Sequence, residues 1–199
     1  VLMITIFLSL SVIPVEASSP RKFHKYELTF NPSGPIFNNG KLNPFASKEI
    51  REAMNILIDR NYIKNNTVTQ PVIPRWLPIS SFGQDYQDLI TDVVAIETKY
   101  AHNFADAEAT IIQQMEIIGT SKVGSYWYYN DEPVEILFII RTEDERLEVG
   151  DYVADLLENI GFAVDRQYKT SSEALPIWYS SDPAEGPWHI YTGGWMSTG

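Results

Sequence analysis

The stretch Val134–Tyr168 constrains the fold more than any other part of the chain, because it reads as strand, helix and strand in direct succession. Val134–Ile140 is a nearly unbroken apolar run rich in β-branched residues, which suits a strand buried on both faces. Thr142 with Glu145 has capping-box spacing and is expected to open a helix whose apolar stripe is Leu147, Val153, Leu156, Leu157 and Ile160. Gly161 stands where a helix ends in a left-handed residue. Beyond it, Phe162, Val164, Arg166 and Tyr168 fall on one face of a second strand and Ala163, Asp165 and Gln167 on the other. A strand–helix–strand unit of this length calls for a parallel pair and a right-handed crossover, so the chain contains at least one α/β layer.

The flanking segments add elements around this unit. Phe23–Phe30 alternates as a strand, and Asn31–Lys41 is a Pro-, Gly- and Asn-rich loop. Ser47 caps an amphipathic helix expected over Lys48–Tyr62; further helices are expected over Tyr86–Tyr100, with Leu89, Ile90, Val93, Val94 and Ile96 inward, and Asp106–Ile118, stopped by Gly119. The prolines of Pro71–Ser81 exclude a central helix or strand there. Trp127–Tyr129 and the turn Asn130–Pro133 feed the central unit. Near the end, Ser172–Tyr179 reads as a short helix containing Pro176, and Trp188–Thr192 as a last strand ending in Gly193–Gly194–Trp195.

Residues 1–19 are the most hydrophobic run and are set apart from residues 20–199, which are expected to form one lobe. Leu2–Val15 has the character of a signal-peptide core, and Val15–Glu16–Ala17 suits cleavage after Ala17, although no Lys or Arg precedes the run. The same residues could equally form one or two buried strands broken at Pro14.

Charge and composition exclude several functions. A net charge of −11 leaves no basic stripe for nucleic-acid phosphates. With no Cys, thiolate nucleophiles and Cys-based metal sites are ruled out. His24, His102 and His189 lack a second ligand at metal spacing, and no nucleophile elbow or phosphate loop is present. Glu143, Asp144 and Glu145 suit the first turn of a helix, where the macrodipole stabilises acids without a catalytic purpose. Neither enzyme chemistry nor a cofactor is called for. Five Trp and eleven Tyr do suggest an aromatic binding surface, with Trp76, Trp127, Trp178, Trp188 and Trp195 as stacking candidates and Tyr179 and Tyr191 behind them. Arg51, Asp59 and Arg60 are expected to form ion pairs within the lobe.

Several of these segments, in this order, resemble the extracellular solute-binding proteins of family 5, receptors of ABC importers for peptides and nickel. Asn43–Ile63 (NPFASKEIREAMNILIDRNYI) is similar to that family's Pro-Phe, Arg-x-Ala and Ile-Asp-Arg pattern, and Pro74–Pro78 to its proline-rich crossing segment. Tyr100–Gly119, the Ile160–Gly161–Phe162–Val164 unit and Trp188–Trp195 have counterparts as well. The resemblance implies an α/β fold class, a single lobe of a type II periplasmic-binding-protein-like fold with a mixed sheet flanked by helices, incomplete relative to the family. The implied role is capture of a peptide or related small solute by lobe closure outside the cytoplasm, in partnership with a membrane permease and a further lobe. Thr192, Gly193, Gly194, Trp195, Met196 and Ser197 would then line the ligand cleft. Peptide-binding members carry Arg and Asp at the positions matched by Thr192 and Thr198; neutral residues there suit a neutral or carbohydrate-like ligand. The alternatives are a glycan-hydrolysing protein with Trp platforms, and a truncated fragment that binds another chain.

Overall fold

The computed structural model describes residues 22–68, 72–77, 79, 81 and 83–198, with side-chain surroundings given from Tyr26 to Gly194 within the terminal strands. Residues 1–19, and the signal-like reading attached to them, lie outside the described residues. The elements in chain order are β1 (Lys22–Phe30), α1 (Lys48–Leu57), α2 (Arg60–Tyr62), α3 (Gln84–Asp88), α4 (Ile90–Lys99), α5 (Phe104–Ile118), β2 (Ser121–Val123), β3 (Tyr126–Tyr129), β4 (Glu132–Pro133), β5 (Glu135–Arg141), α6 (Arg146–Asn159), β6 (Ala163–Lys169), α7 (Ser171–Trp178) and β7 (Ile190–Thr198). Two compact units divide the chain, residues 1–25 with 194–199 and residues 26–193. The second carries the core.

Its main sheet has the order β1-β7-β5-β6. β5 is parallel to β6, with Ile136 opposite Val164, and parallel to β7, with Ile139 opposite Tyr191. At the other edge, the Asn31 N–H just after β1 donates to the His189 carbonyl, while the open flank of Gly193 faces Thr29 and Glu27 earlier in β1. Those two contacts make β1 and β7 run in opposite directions, so the sheet is mixed, as the family resemblance implies.

The expectation that β5 is buried on both faces holds. Ile136, Phe138 and Ile140 join the large cluster built with Met54 and Leu57 of α1, Ile111 and Met115 of α5, and Val153 and Leu157 of α6. Ile139, pointing the other way, meets Ala174, Trp188 and Tyr191. Gly161 ends α6 with φ 107°, and its carbonyl takes the Trp127 N–H at 2.8 Å. Asn130 and Asp131, with φ 49° and 65°, make the tight turn that a two-residue hairpin requires.

Gly150 shows how closely α6 lies on the sheet. A Cβ there would stand 2.5 Å from Ile140 Cγ2 and 2.9 Å from Cγ1. Overpacking costs about 1–3 kcal/mol, against up to about 1 kcal/mol gained in helix propensity. Gly150→Ala is therefore expected to lower stability by about 1–2 kcal/mol. Combining it with Ile140→Ala should give a loss smaller than the sum of the single changes, measured by urea unfolding.

Four expectations are corrected. Helix α1 stops at Leu57 because Ile58 turns extended and Asp59 accepts from the Asn61 and Tyr62 N–H groups, restarting the chain as α2. The helix expected over Tyr86–Tyr100 divides at Leu89, and of its apolar stripe only Val93 is buried; Leu89, Ile90 and Val94 are exposed. Thr142 does not cap α6, which begins at Arg146 without a side-chain cap, so Glu143–Glu145 precede the helix rather than occupy its first turn. Finally, the last strand continues through Gly193–Gly194–Trp195 to Thr198.

Candidate functional site

In a sheet with parallel strands, ligands collect outside the carboxyl ends of those strands. Arg141 ends β5, directly after the apolar run, and its side chain is buried. Its Nη1 donates to the Tyr191 hydroxyl at 2.9 Å, and its Nε to Glu143 Oε2 at 2.7 Å. The same carboxylate oxygen forms an ion pair with Arg141 Nη2 and accepts the Ser171 N–H at the start of α7 at 3.1 Å. Arg141, and after it the Ser171 N–H, hold the Glu143 carboxyl below the usual range. Burial opposes the Arg141 charge, but the Tyr191 and Glu143 bonds outweigh it and raise the guanidinium pKa. A carboxylate kept ionised in this way cannot serve as a general acid near neutral pH.

Aromatic packing completes this edge. The Trp178 ring lies flat on Tyr191, centroids 4.5 Å apart and planes 15° off parallel, and the exposed Tyr179 meets Trp178 edge-on. At the beginning of α6, Asp144 grips Arg146 through both carboxylate oxygens at 2.7 and 2.6 Å. The Arg146 guanidinium stands 5.7 Å from the Tyr26 ring centroid, and the Tyr26 hydroxyl donates to Glu145. Burial, then that bond, pushes the Tyr26 hydroxyl up to about 12. Each acid of the Glu143–Glu145 run therefore has a partner: Glu145 a distant one in Tyr26, Glu143 both Arg141 and the distant Ser171 N–H, and Asp144 the nearby Arg146.

The residues singled out in sequence fall in several places. Thr192 is buried, and its Oγ1 accepts the Arg141 backbone N–H at 2.8 Å. Gly193 is buried beside β1 and Gly194 is exposed. Trp195, Met196 and Ser197 belong to β7, but their side chains lie outside the described residues, as does that of His24. Trp127 is in the core, its Nε1 donating to the Ile160 carbonyl; Trp188 is also buried, its Nε1 without a partner among the described residues. Among the described residues Arg51 and Arg60 form no ion pairs: Arg51 donates to the Phe45 and Ala46 carbonyls, Arg60 to Asn55 and the Arg75 carbonyl. His102 is exposed and His189 buried. Among the described residues, no group of three His, Cys, Asp or Glu is placed to hold a metal ion, and no helix is long and apolar enough to cross a membrane. Sequence reasoning passed over the Arg141–Glu143–Tyr191 cluster; a charged residue immediately closing an apolar strand was its signal.

Over residues 6–199 the sequence matches the family described as bacterial extracellular solute-binding proteins, family 5 Middle. The chain belongs to that family. No curated protein matches it significantly. Among solved structures, it is similar to the oligopeptide-binding protein AppA of Bacillus subtilis in complex with a nonapeptide, at 14% identity and TM-score 0.61, covering 88% of this chain and 32% of that one. The periplasmic binding protein MelB of Agrobacterium fabrum in complex with stachyose gives 17% identity and TM-score 0.62, covering 90% and 28%. NikZ of Campylobacter jejuni in complex with Ni(L-His) gives 14% and 0.54, covering 87% and 30%. At such identities the likeness carries the fold alone. The family 5 chain described here spans about a third of the length of these structures. The family and the fold are those of binding proteins.

Proposed function

We propose that this family 5 chain is one lobe of the extracytoplasmic substrate-binding component of an ABC importer. It captures a peptide or related small solute by closing against a further lobe and then engages a membrane permease. The observation that carries this reading is the family match along residues 6–199. Within the Thr192–Ser197 stretch the ligand-facing part is Gly194–Ser197, with the exposed Gly194 letting a ligand approach the backbone and the Trp195 indole as a platform, while the buried Thr192 and Gly193 anchor it. The Arg141–Glu143–Tyr191 cluster, whose hydrogen bonds tie the end of β5 to β7 and to the start of α7, acts as a rigid support for Thr192.

The uncharged position Thr192 favours a second choice of solute within the same role. Its hydroxyl is committed to Arg141, so it supplies no desolvated counter-charge to a peptide terminus. An oligosaccharide stacking on Trp195 suits such a surface, and one fold relative holds stachyose.

Calorimetric titration with trialanine and with stachyose tests the reading. A single lobe buries only one side of the ligand, so the 199-residue chain is expected to bind either compound with a Kd of about 1 mM or weaker. Micromolar affinity in the isolated chain would overturn the half-receptor reading.

A further inference from the structure

An open cleft of about 380 Å³, lined by no residue of the Thr192–Ser197 stretch, lies between the end of α1 and α4. Its volume falls in the range of small-ligand sites, which begins at about 300 Å³. Ile58 and Val94 give it apolar walls, and Asp59, Arg60, Trp76 and Glu97 supply the polar and aromatic lining.

The charges here are unusual in being separate. Arg60 donates to the Asn55 carbonyl, the Asn55 side chain and the Arg75 carbonyl at 2.8–2.9 Å, and lies 5.2 Å from the Trp76 ring centroid. Among the described residues no carboxylate forms an ion pair with it. Burial alone pulls its pKa below the usual value. Three carbonyl-type acceptors engage three of its five N–H groups, so two donors remain. Asp59 and Glu97 are equally without a cationic partner in that set. Asp59 uses Oδ1 to cap α2, and Glu97 uses Oε1 to accept from the Tyr86 hydroxyl. One oxygen of each is left over. Trp76 is fixed by its Nε1 bond to the Tyr100 carbonyl at 3.0 Å, so the wall is preformed.

A partly buried guanidinium without an anion and two carboxylates without a cation, around an apolar gap, match a ligand that carries both charges. We propose that this cleft binds a small zwitterion of the α-amino-acid class, its carboxylate on the Arg60 guanidinium, its ammonium on Asp59 and Glu97, and an apolar side chain against Ile58 and Val94. This site is independent of the import role, and none of its residues belongs to β7.

L-leucine is the first probe, with 3-methylbutylamine as leucine without the carboxylate and 4-methylpentanoate as leucine without the ammonium. Calorimetry on the whole protein should give saturable leucine binding and each truncated analogue at least about tenfold weaker, since either loses a charge-assisted contact. Asp59→Asn keeps the cap and Glu97→Gln keeps an acceptor for Tyr86, so both variants should remain folded by circular dichroism. Each should weaken leucine about tenfold while leaving 4-methylpentanoate unchanged. Trp195→Ala should leave leucine binding as it was, which separates this site from the one proposed for import. Absence of saturation by about 10 mM leucine overturns the proposal, as does equal affinity for either analogue, or leucine binding that neither variant weakens.

Discussion

Replacing Asn43 by leucine is expected to remove about 4 kcal/mol of folding stability, although the two side chains share the same outline, branched at Cγ. Asn43 is fully buried. Its Nδ2 donates to the Asn31 carbonyl at 2.8 Å and the Ser33 carbonyl at 2.7 Å, and its Oδ1 accepts the Phe45 N–H at 3.1 Å. Leucine would strand two carbonyls and one N–H, each costing about 1–3 kcal/mol, with part of the sum recovered through apolar burial. Asn31 belongs to the same network: its side chain donates to the Pro183 and Trp188 carbonyls, and its backbone N–H to the His189 carbonyl. The loop thereby joins β1 to the segment before β7 and sets Phe45 against Phe30, ring centroids 5.0 Å apart. In urea, the unfolding midpoint should fall with an unchanged m-value. Asn43→Asp separates hydrogen bonding from shape. Its second carboxylate oxygen would face two carbonyls, so it should be about as damaging at pH 7 and partly recover in mild acid as the carboxyl gains a proton. A loss under about 1 kcal/mol for leucine would mean that the network contributes little net stability.

The same loop shows what a sequence can and cannot disclose. The β5–α6–β6 unit is legible from Val134–Tyr168 because apolar periodicity and the Gly161 stop are local signals, and both appear in the structure. Capping is less local. Thr142 with Glu145 and Thr170 with Glu173 have the same spacing, but only the second pair forms the reciprocal box, at the start of α7. At the first, Glu145 is taken by Tyr26, a partner that no short window reveals, while the preceding Glu143 bonds the nearby Arg141 and the distant Ser171 N–H. For α4 the periodic stripe was readable, but burial needs an opposing element, and only Val93 meets one. In the candidate site, the glycine pair and Trp195 drew notice as sequence oddities. The inward turn of Thr192 depends on the pairing of β7 with β5, between residues some fifty positions apart.

His189 should make the protein acid-sensitive well above the pH at which carboxylates titrate. Its ring is buried, accepting the Leu137 N–H at Nδ1 at 3.1 Å, which leaves Nε2 to carry the proton toward the Leu42 carbonyl at 3.3 Å. Phe37 packs edge-on against it with centroids 5.1 Å apart. Both nitrogens are used by the neutral form, and a second proton would break the bond from Leu137. Burial, first, and the nearby Lys41 charge lower its pKa to about 4, against partial compensation from the Leu42 bond and Glu135. Above about pH 6.5 the ring is neutral in both folded and unfolded chains and contributes no pH dependence. Between about 6.5 and 4 the unfolded chain binds a proton that the folded one excludes, so stability falls as pH falls. The loss is about 2 kcal/mol by pH 5 and about 3 kcal/mol near pH 4, where it levels off. His189→Gln removes the titration. It should be less stable than the native protein at pH 7.5, through imperfect replacement of two hydrogen bonds, yet nearly flat from pH 7.5 to 5. Urea midpoints at pH 7.5, 6 and 5 for both proteins make the comparison. Parallel profiles would show that another group governs this range, and a flat native profile would mean that the ring accepts its proton without leaving the fold.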